Sequence, residues 1–225
     1  MNTIIIAENI GRSFQSGKET VDALKNINIS IEKEKLTVLK GRSGSGKTTL
    51  MNILGALDKP TSGKILFDDK DITKIPERGC DIFRRKKIGF IFQSVALISM
   101  MSAYENVEFG LRVAGFDAKT RKKRSEECLH LVGLGKRMHH RPSELSGGEQ
   151  QRVAVARAMA HRPEIVFADE PTAELDTIMG LQIVKLFKEL VVSEGITFLM
   201  TTHDPDMMDV ADRIFTLEDG EIVNE

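Results

Sequence analysis

The sequence predicts an α/β fold with a mainly parallel sheet core, an antiparallel β arm and an inserted helical subdomain. Three observations carry that expectation. Apolar, β-branched runs at 36–39, 88–92, 165–168, 197–201 and 214–217 have the length and composition of buried strands. Helical patterns alternate with them, which favours a parallel sheet. From about 95 to 162 the strand signal fades and helical patterning takes over, which places the insertion.

The elements follow in order. Residues 3–6 and 27–31 read as strands, the second alternating in Ile27-Asn-Ile29-Ser-Ile31, with a polar turn at 15–20 between them. Strand 36–39 runs into a glycine-rich loop and a helix that continues to about Leu57, closed by Asp58-Lys-Pro60. Residues 63–67 and the Asp68-Asp69 turn form another hairpin arm. A charged helix at 77–87 ends in Arg84-Arg-Lys-Lys87 and precedes strand 88–92. Asp117 caps a helix through 121–132, with Gly133 and Gly135 as its stop. A helix at 177–192 separates strands 165–168 and 197–201. The expected organisation is one domain, 1–225, with a core from 1–93 and 163–225 and a helical subdomain at about 94–162.

The bulk composition narrows the function. The chain has 225 residues, 32 Lys and Arg against 33 Asp and Glu, and a net charge of −1, so no basic field invites nucleic acid. The basic runs at 84–87 and 121–124 lack interleaved aromatics and read as exposed helix faces. Cys80 and Cys128 are far apart, which suits a reduced cytosolic setting. Cys128 with His130, and His139 with His140, lack further ligands and read as solvated helix faces. The N-terminus has no basic leader and no segment approaches the roughly 20 apolar residues of a membrane span. A soluble chain is expected, with any membrane role supplied by a partner.

The chemistry starts at Gly41-Arg42-Ser43-Gly44-Ser45-Gly46-Lys47-Thr48-Thr49, the phosphate-loop pattern between a strand and a helix. The glycines let backbone N–H groups curl around a phosphate, and the helix start adds unpaired N–H groups. Lys47 is positioned to reach β- and γ-phosphates and the Thr48 hydroxyl to bind Mg²⁺. The expected core is therefore a P-loop NTPase. A second motif, Ile165-Val-Phe-Ala-Asp169-Glu170, places two acids at the carboxyl end of a buried strand, where α/β ligands bind. Asp169 would hold Mg²⁺, and Glu170 would polarise the attacking water.

The third motif is Leu145-Ser-Gly-Gly-Glu-Gln150. Ser146 and Glu149 form a capping box that starts a helix, ended by Pro163. The box leaves Gly147 and Gly148 unexplained, because adjacent glycines cost helix stability unless something approaches the backbone closely.

Together these motifs resemble the ATP-binding-cassette (ABC) ATPases over nearly the whole chain. The resemblance implies that the Ser146–Glu149 signature contacts the γ-phosphate held by a second copy in an ATP-sandwich homodimer. It implies that Gln93 is the lid glutamine touching Mg²⁺ and water, His203 the switch histidine, Asp176 the aspartate of the dimer-crossing loop and Phe14 the aromatic that stacks on adenine. Arg42 stands where the family often has Pro, Glu174 where it has a small or amide residue, and Phe14 where Tyr is more usual. Length and the polar insertion at 15–20 resemble the lipoprotein-release, macrolide-export and cell-division group. That group implies a cytoplasmic ATPase, peripheral on the inner face of the membrane, driving an integral membrane permease in export or extraction of lipid, peptide or drug. A non-transport cassette, such as an iron–sulfur assembly ATPase or a cell-division factor, is the alternative. The apolar, Met-rich segment 94–101 is the expected permease contact.

Overall fold

The computed structural model describes residues 2–17 and 19–224. The chain opens with β1 (Thr3–Ser16), β2 (Glu19–Glu32), β3 (Leu36–Lys40), α1 (Lys47–Leu54), β4 (Ser62–Phe67), β5 (Lys70–Asp71), α2 (Glu77–Lys87) and β6 (Ile88–Ile91). Three helices follow, α3 (Ala103–Val113), α4 (Ala118–Leu131) and α5 (Gly147–Met159). The chain then returns through β7 (Ile165–Ala168), α6 (Thr177–Glu194), β8 (Thr197–Thr202), β9 (Arg213–Glu218) and β10 (Glu221–Asn224).

Two sheets result. An antiparallel sheet has the order β2-β1-β4-β5, and a larger one the order β10-β9-β3-β8-β7-β6. In the larger sheet every neighbouring pair is parallel except β10 with β9. Strand alternation divides the core. Leu36, Val38, Val166, Ala168, Phe198 and Met200 face the layer of α3, α4, α5 and α6. Leu39, Ile165, Phe167, Leu199 and Phe215 face α1 and the antiparallel sheet. Apolar cover on both faces is why β7 is an unbroken apolar run and why β3 and β8 bury threonines beside their apolar residues.

The expected arm strands were too short: β1 and β2 each span 14 residues. Register shifts near Ala7, Ile10 and Arg12, with Asn9 at φ 53°, interrupt the alternation that marks a strand in sequence. The first helix ends at Leu54 and not Leu57, because Gly55 closes it and Ala56 turns left-handed at φ 55°. The caps at Asp117 and Ser146 are present, α4 running to Leu131 and α5 to Met159. Helix α3, opened by a Ser102–Glu105 capping box, strand β10 and a short 3₁₀ helix at Pro205–Val210 had no separate expectation.

Two exposed-face readings are corrected. Arg124 is buried, donating to the Ala160 carbonyl at 3.2 Å and to Glu194 Oε2 at 2.6 Å, and so ties α4 to the ends of α5 and α6. Cys128, one turn further on, lies in the core, where burial pushes its thiol up to about 12. A thiol with that value is a packing group and not a ligand.

Candidate nucleotide site

Strands β3, β8 and β7 are neighbours, so their carboxyl ends deliver the glycine loop, Thr201 to His203 and the Asp169-Glu170 pair to one rim. Thr48 and Asp169 lie 121 positions apart in sequence, and the Thr48 hydroxyl donates to Asp169 Oδ2 at 2.8 Å. Lys47 is only 5% exposed and donates to the carbonyls of Gly41 at 2.9 Å and Arg42 at 3.1 Å. Its Nζ is 3.7 Å from Glu170 Oε1, and His203 Nδ1 is 3.7 Å from the same oxygen.

The loop has the features of an anion cradle. Gly46 takes φ 104°, and a Cβ there would come within 2.7 Å of the Ala23 carbonyl, so only glycine fits. No side chain caps α1, which leaves its first N–H groups without a side-chain acceptor. Ser45 Oγ is buried without a hydrogen-bond partner, and two carbonyls engage only part of the three-donor ammonium of Lys47. A phosphate oxygen would satisfy both groups. Arg42, Ser43, Gly44 and Ser45 form one wall of a pocket of about 310 Å³, and Glu218 and Asp219 of the β9–β10 turn form the other. Gly220 N–H of that turn donates to the Ser45 carbonyl at 3.1 Å. Thr49 continues α1 behind the loop.

Two other expected residues lie just past β6 and on β1, strands of different sheets. Gln93 is exposed just beyond β6. Phe14 is 41% exposed on β1, with the Arg12 guanidinium 4.4 Å from its ring centroid. Arg12 is itself held by Asp58 in a two-pronged ion pair of 2.9 and 3.0 Å.

The signature lies apart. Ser146 caps α5, accepting from Glu149 N–H at 3.3 Å, while Glu149 Oε2 accepts from Ser146 N–H at 2.9 Å. Those bonds hold the Glu149 carboxyl below its ordinary value, the Ser146 backbone contributing most. Asp176 caps α6 through Met179 N–H at 2.9 Å. Among the described residues no hydrogen bond or ion pair joins Ser146, Gly147, Gly148, Glu149 or Asp176 to the phosphate loop of the same chain.

Three residues escaped the sequence reading: Arg12, Asp58 and Thr201. Thr201 left a faint signal, a polar pair Thr201-Thr202 that follows the apolar Phe198-Leu-Met200. Arg12 and Asp58 left none, because they meet only after β1 folds over the α1 turn.

Fold and site together define a phosphate-loop ATPase cassette. Residues 24–173 match the ABC transporter family. Over 220 residues the chain is 44% identical to the uncharacterized ABC transporter ATP-binding protein MJ1508 of Methanocaldococcus jannaschii, covering 98% of each chain. It is 42% identical to the macrolide export ATP-binding/permease protein MacB of Bartonella henselae, covering 99% of this chain and 34% of that one. A dimeric, post-hydrolysis structure of the ATP-binding cassette MJ0796 of the same Methanocaldococcus species, bound to ADP and Pi, superimposes with a TM-score of 0.89. It is 39% identical, with coverage of 98% of this chain and 97% of that one. The chain therefore belongs to the ABC transporter family, and its activity is ATP hydrolysis.

Proposed function

We propose that this chain closes with a second copy of itself around two ATP molecules and that hydrolysis drives a separate integral membrane permease. The transport class we infer is export or extraction of lipid, peptide or drug. The observation that carries the reading is the convergence on Glu170, whose Oε1 lies 3.7 Å from both Lys47 Nζ and His203 Nδ1 beside the Thr48–Asp169 bond.

Each group has a role in this reading. Lys47 and the uncapped start of α1 bind the β- and γ-phosphates, and Ser45 gives its unpaired hydroxyl to the same anion. Glu170 takes the proton of the attacking water, and His203 holds the γ-phosphate against it. Gln93 orients that water from just past β6. Thr48, Asp169 and Gln93 are an oxygen-rich donor set of the kind Mg²⁺ takes, and Mg²⁺ would neutralise charge on the phosphates. Phe14 stacks on the base. Ser146, Gly147, Gly148 and Glu149 on about 94–162 complete the second copy's site, with Asp176 at the crossing loop. Their separation from this chain's own loop supports a role in trans.

The dimeric MJ0796 cassette bound to ADP and Pi supports the sandwich, and the fusion of cassette and permease in MacB supports a membrane partner. No helix among the described residues is long and apolar enough to cross a membrane, which agrees with a cytoplasmic subunit held peripherally by its permease.

Glu170→Gln tests the reading. It should keep ATP binding, lower turnover by about two orders of magnitude or more (roughly 3 kcal/mol of barrier) and accumulate an ATP-bound dimer in gel filtration. Near-normal turnover removes Glu170 from the mechanism.

A further inference from the structure

We infer that Thr201 is a positioning residue for hydrolysis, one hydroxyl setting both acids of the Asp169-Glu170 pair; the inference rests on the roles proposed above for those acids. Thr201 is fully buried in β8, the strand between β3 and β7. Its O–H donates to Asp169 Oδ1 at 2.7 Å, and its oxygen accepts from the Glu170 N–H at 2.8 Å. A hydroxyl can do both at once, and an aliphatic side chain in the same place can do neither.

The two bonds act on different problems. Asp169 has one oxygen engaged by Thr48 and the other by Thr201. If the Thr48 hydroxyl turns to a cation, Thr201 is the side chain that still fixes the carboxylate plane. Glu170 sits at φ 43°, a left-handed backbone that a non-glycine residue adopts only when its surroundings hold it. The bond from Glu170 N–H to Thr201 is one such hold, and the Glu170 carbonyl accepting from Ala173 N–H at 3.1 Å is another. Released from Thr201, the Glu170 side chain would no longer be kept between Lys47 and His203.

Thr201→Val preserves the buried shape and deletes only the hydroxyl, while Thr201→Ser keeps the hydroxyl and deletes a methyl. We expect Thr201→Val to lower kcat about ten- to a hundredfold, the size of a lost hydrogen bond to a charged group. Its KM for ATP should stay within about threefold of the native value, because the phosphate loop is untouched. Equilibrium titration gives a readout free of turnover. ATP affinity in EDTA should match the native protein, whereas the gain in affinity on adding Mg²⁺ should shrink in Val and return in Ser. Native kcat and Mg²⁺ response in Thr201→Val overturn the inference, as does equal impairment of Val and Ser, which would make the effect one of packing. Loss of folding in Val leaves the Ser variant to decide, since a Ser that folds but loses kcat also overturns it. None of these results depends on Glu170→Gln, whose failure would remove the reading beneath.

Discussion

Gly148 at the start of α5 lies against Met179 on the first turn of α6, so closely that a Cβ on Gly148 would collide with the methionine Cε. The neighbouring Gly147 has no such constraint, its nearest outside atom being Leu175 Cδ2 at 3.6 Å from where a Cβ would sit. The end of Met179 is flexible and half-exposed, so it can turn aside for a Cβ on Gly148, whereas Gly147 is exposed with no neighbour to displace.

Gly147→Ala should therefore keep or slightly raise the stability of the isolated chain, by up to about 1 kcal/mol from helix propensity. In the same variant ATP-driven dimerisation and turnover should fall. Gly148→Ala, which needs only the Met179 side chain to turn aside, should leave the melting temperature of the monomer nearly unchanged. A mixed dimer separates cis from trans: one subunit carrying Ser146→Arg should disable the site whose Lys47 belongs to the other. Damage that tracks the mutant subunit's own phosphate loop would falsify the sandwich arrangement.

A second prediction concerns the base. Phe14 presents a π face with no hydrogen-bond donor or acceptor, so stacking is tolerant among purines and GTP should be hydrolysed at a rate near that of ATP. Arg12 covers the ring at 4.4 Å and is anchored by Asp58. Arg12→Ala should raise KM for both nucleotides about two- to fivefold, as loss of a surface cation–π contact implies, with kcat unchanged. Strict ATP selectivity that survives Phe14→Ala would place base recognition elsewhere.

The parts of this molecule that were legible share a cause. Strands β3, β7 and β8 carry apolar residues on both faces, and the caps at Asp117 and Ser146 act within a few residues of themselves, so local sequence carries them. Thr201 meets Asp169 across 32 residues and Arg12 meets Asp58 across 46, and neither residue type is distinctive on its own. Helix α3 carries a local signal too, since Ser102 and Glu105 form the same box as Ser146 and Glu149. The long arm failed for another reason: β2 keeps one face in solvent and β1 shifts register, so periodicity breaks where pairing continues.

The third prediction is a pH dependence. His161, just past the end of α5, has its Nε2 2.9 Å from the Ile88 carbonyl, so that nitrogen carries the proton. Burial lowers its pKa below the ordinary 6.5, and the bond to Ile88 opposes that shift without reversing it. The unfolded chain thus binds the proton more readily than the folded one. Stability contributed by the neutral ring is complete above about pH 6.5 and is lost as pH falls below it, with a slope of at most about 1.4 kcal/mol per pH unit from this group. Urea unfolding between pH 5 and 7.5 should show that slope in the native protein and lose part of it in His161→Gln. An unchanged slope in the variant would mean that His161 does not report the pH.

The last prediction is where the permease docks. After Gln93 the backbone of residues 95–101 is held from inside the helical block. Arg157 donates to the carbonyls of Val95 at 3.2 Å and Ala96 at 2.6 Å. The buried Asn106 accepts from Ile98 N–H at 2.8 Å and donates to the Met101 carbonyl at 3.1 Å. The side chains divide. Leu97 packs on the main core, whereas Met100 is 75% exposed and Ile98 is partly so. A held backbone bearing a flexible exposed methionine suits a partner helix, and Arg157 belongs to the same helix that Ser146 begins, so on the proposed reading a movement at Ser146 would reach residues 95–101. Met100→Asp should abolish copurification with the permease while leaving basal ATPase intact. Leu97→Asp should destabilise the fold, because it would bury a charge, and so cannot serve as the test. A Met100→Asp protein that folds, hydrolyses ATP and still binds the permease as the native chain does would move the docking site elsewhere.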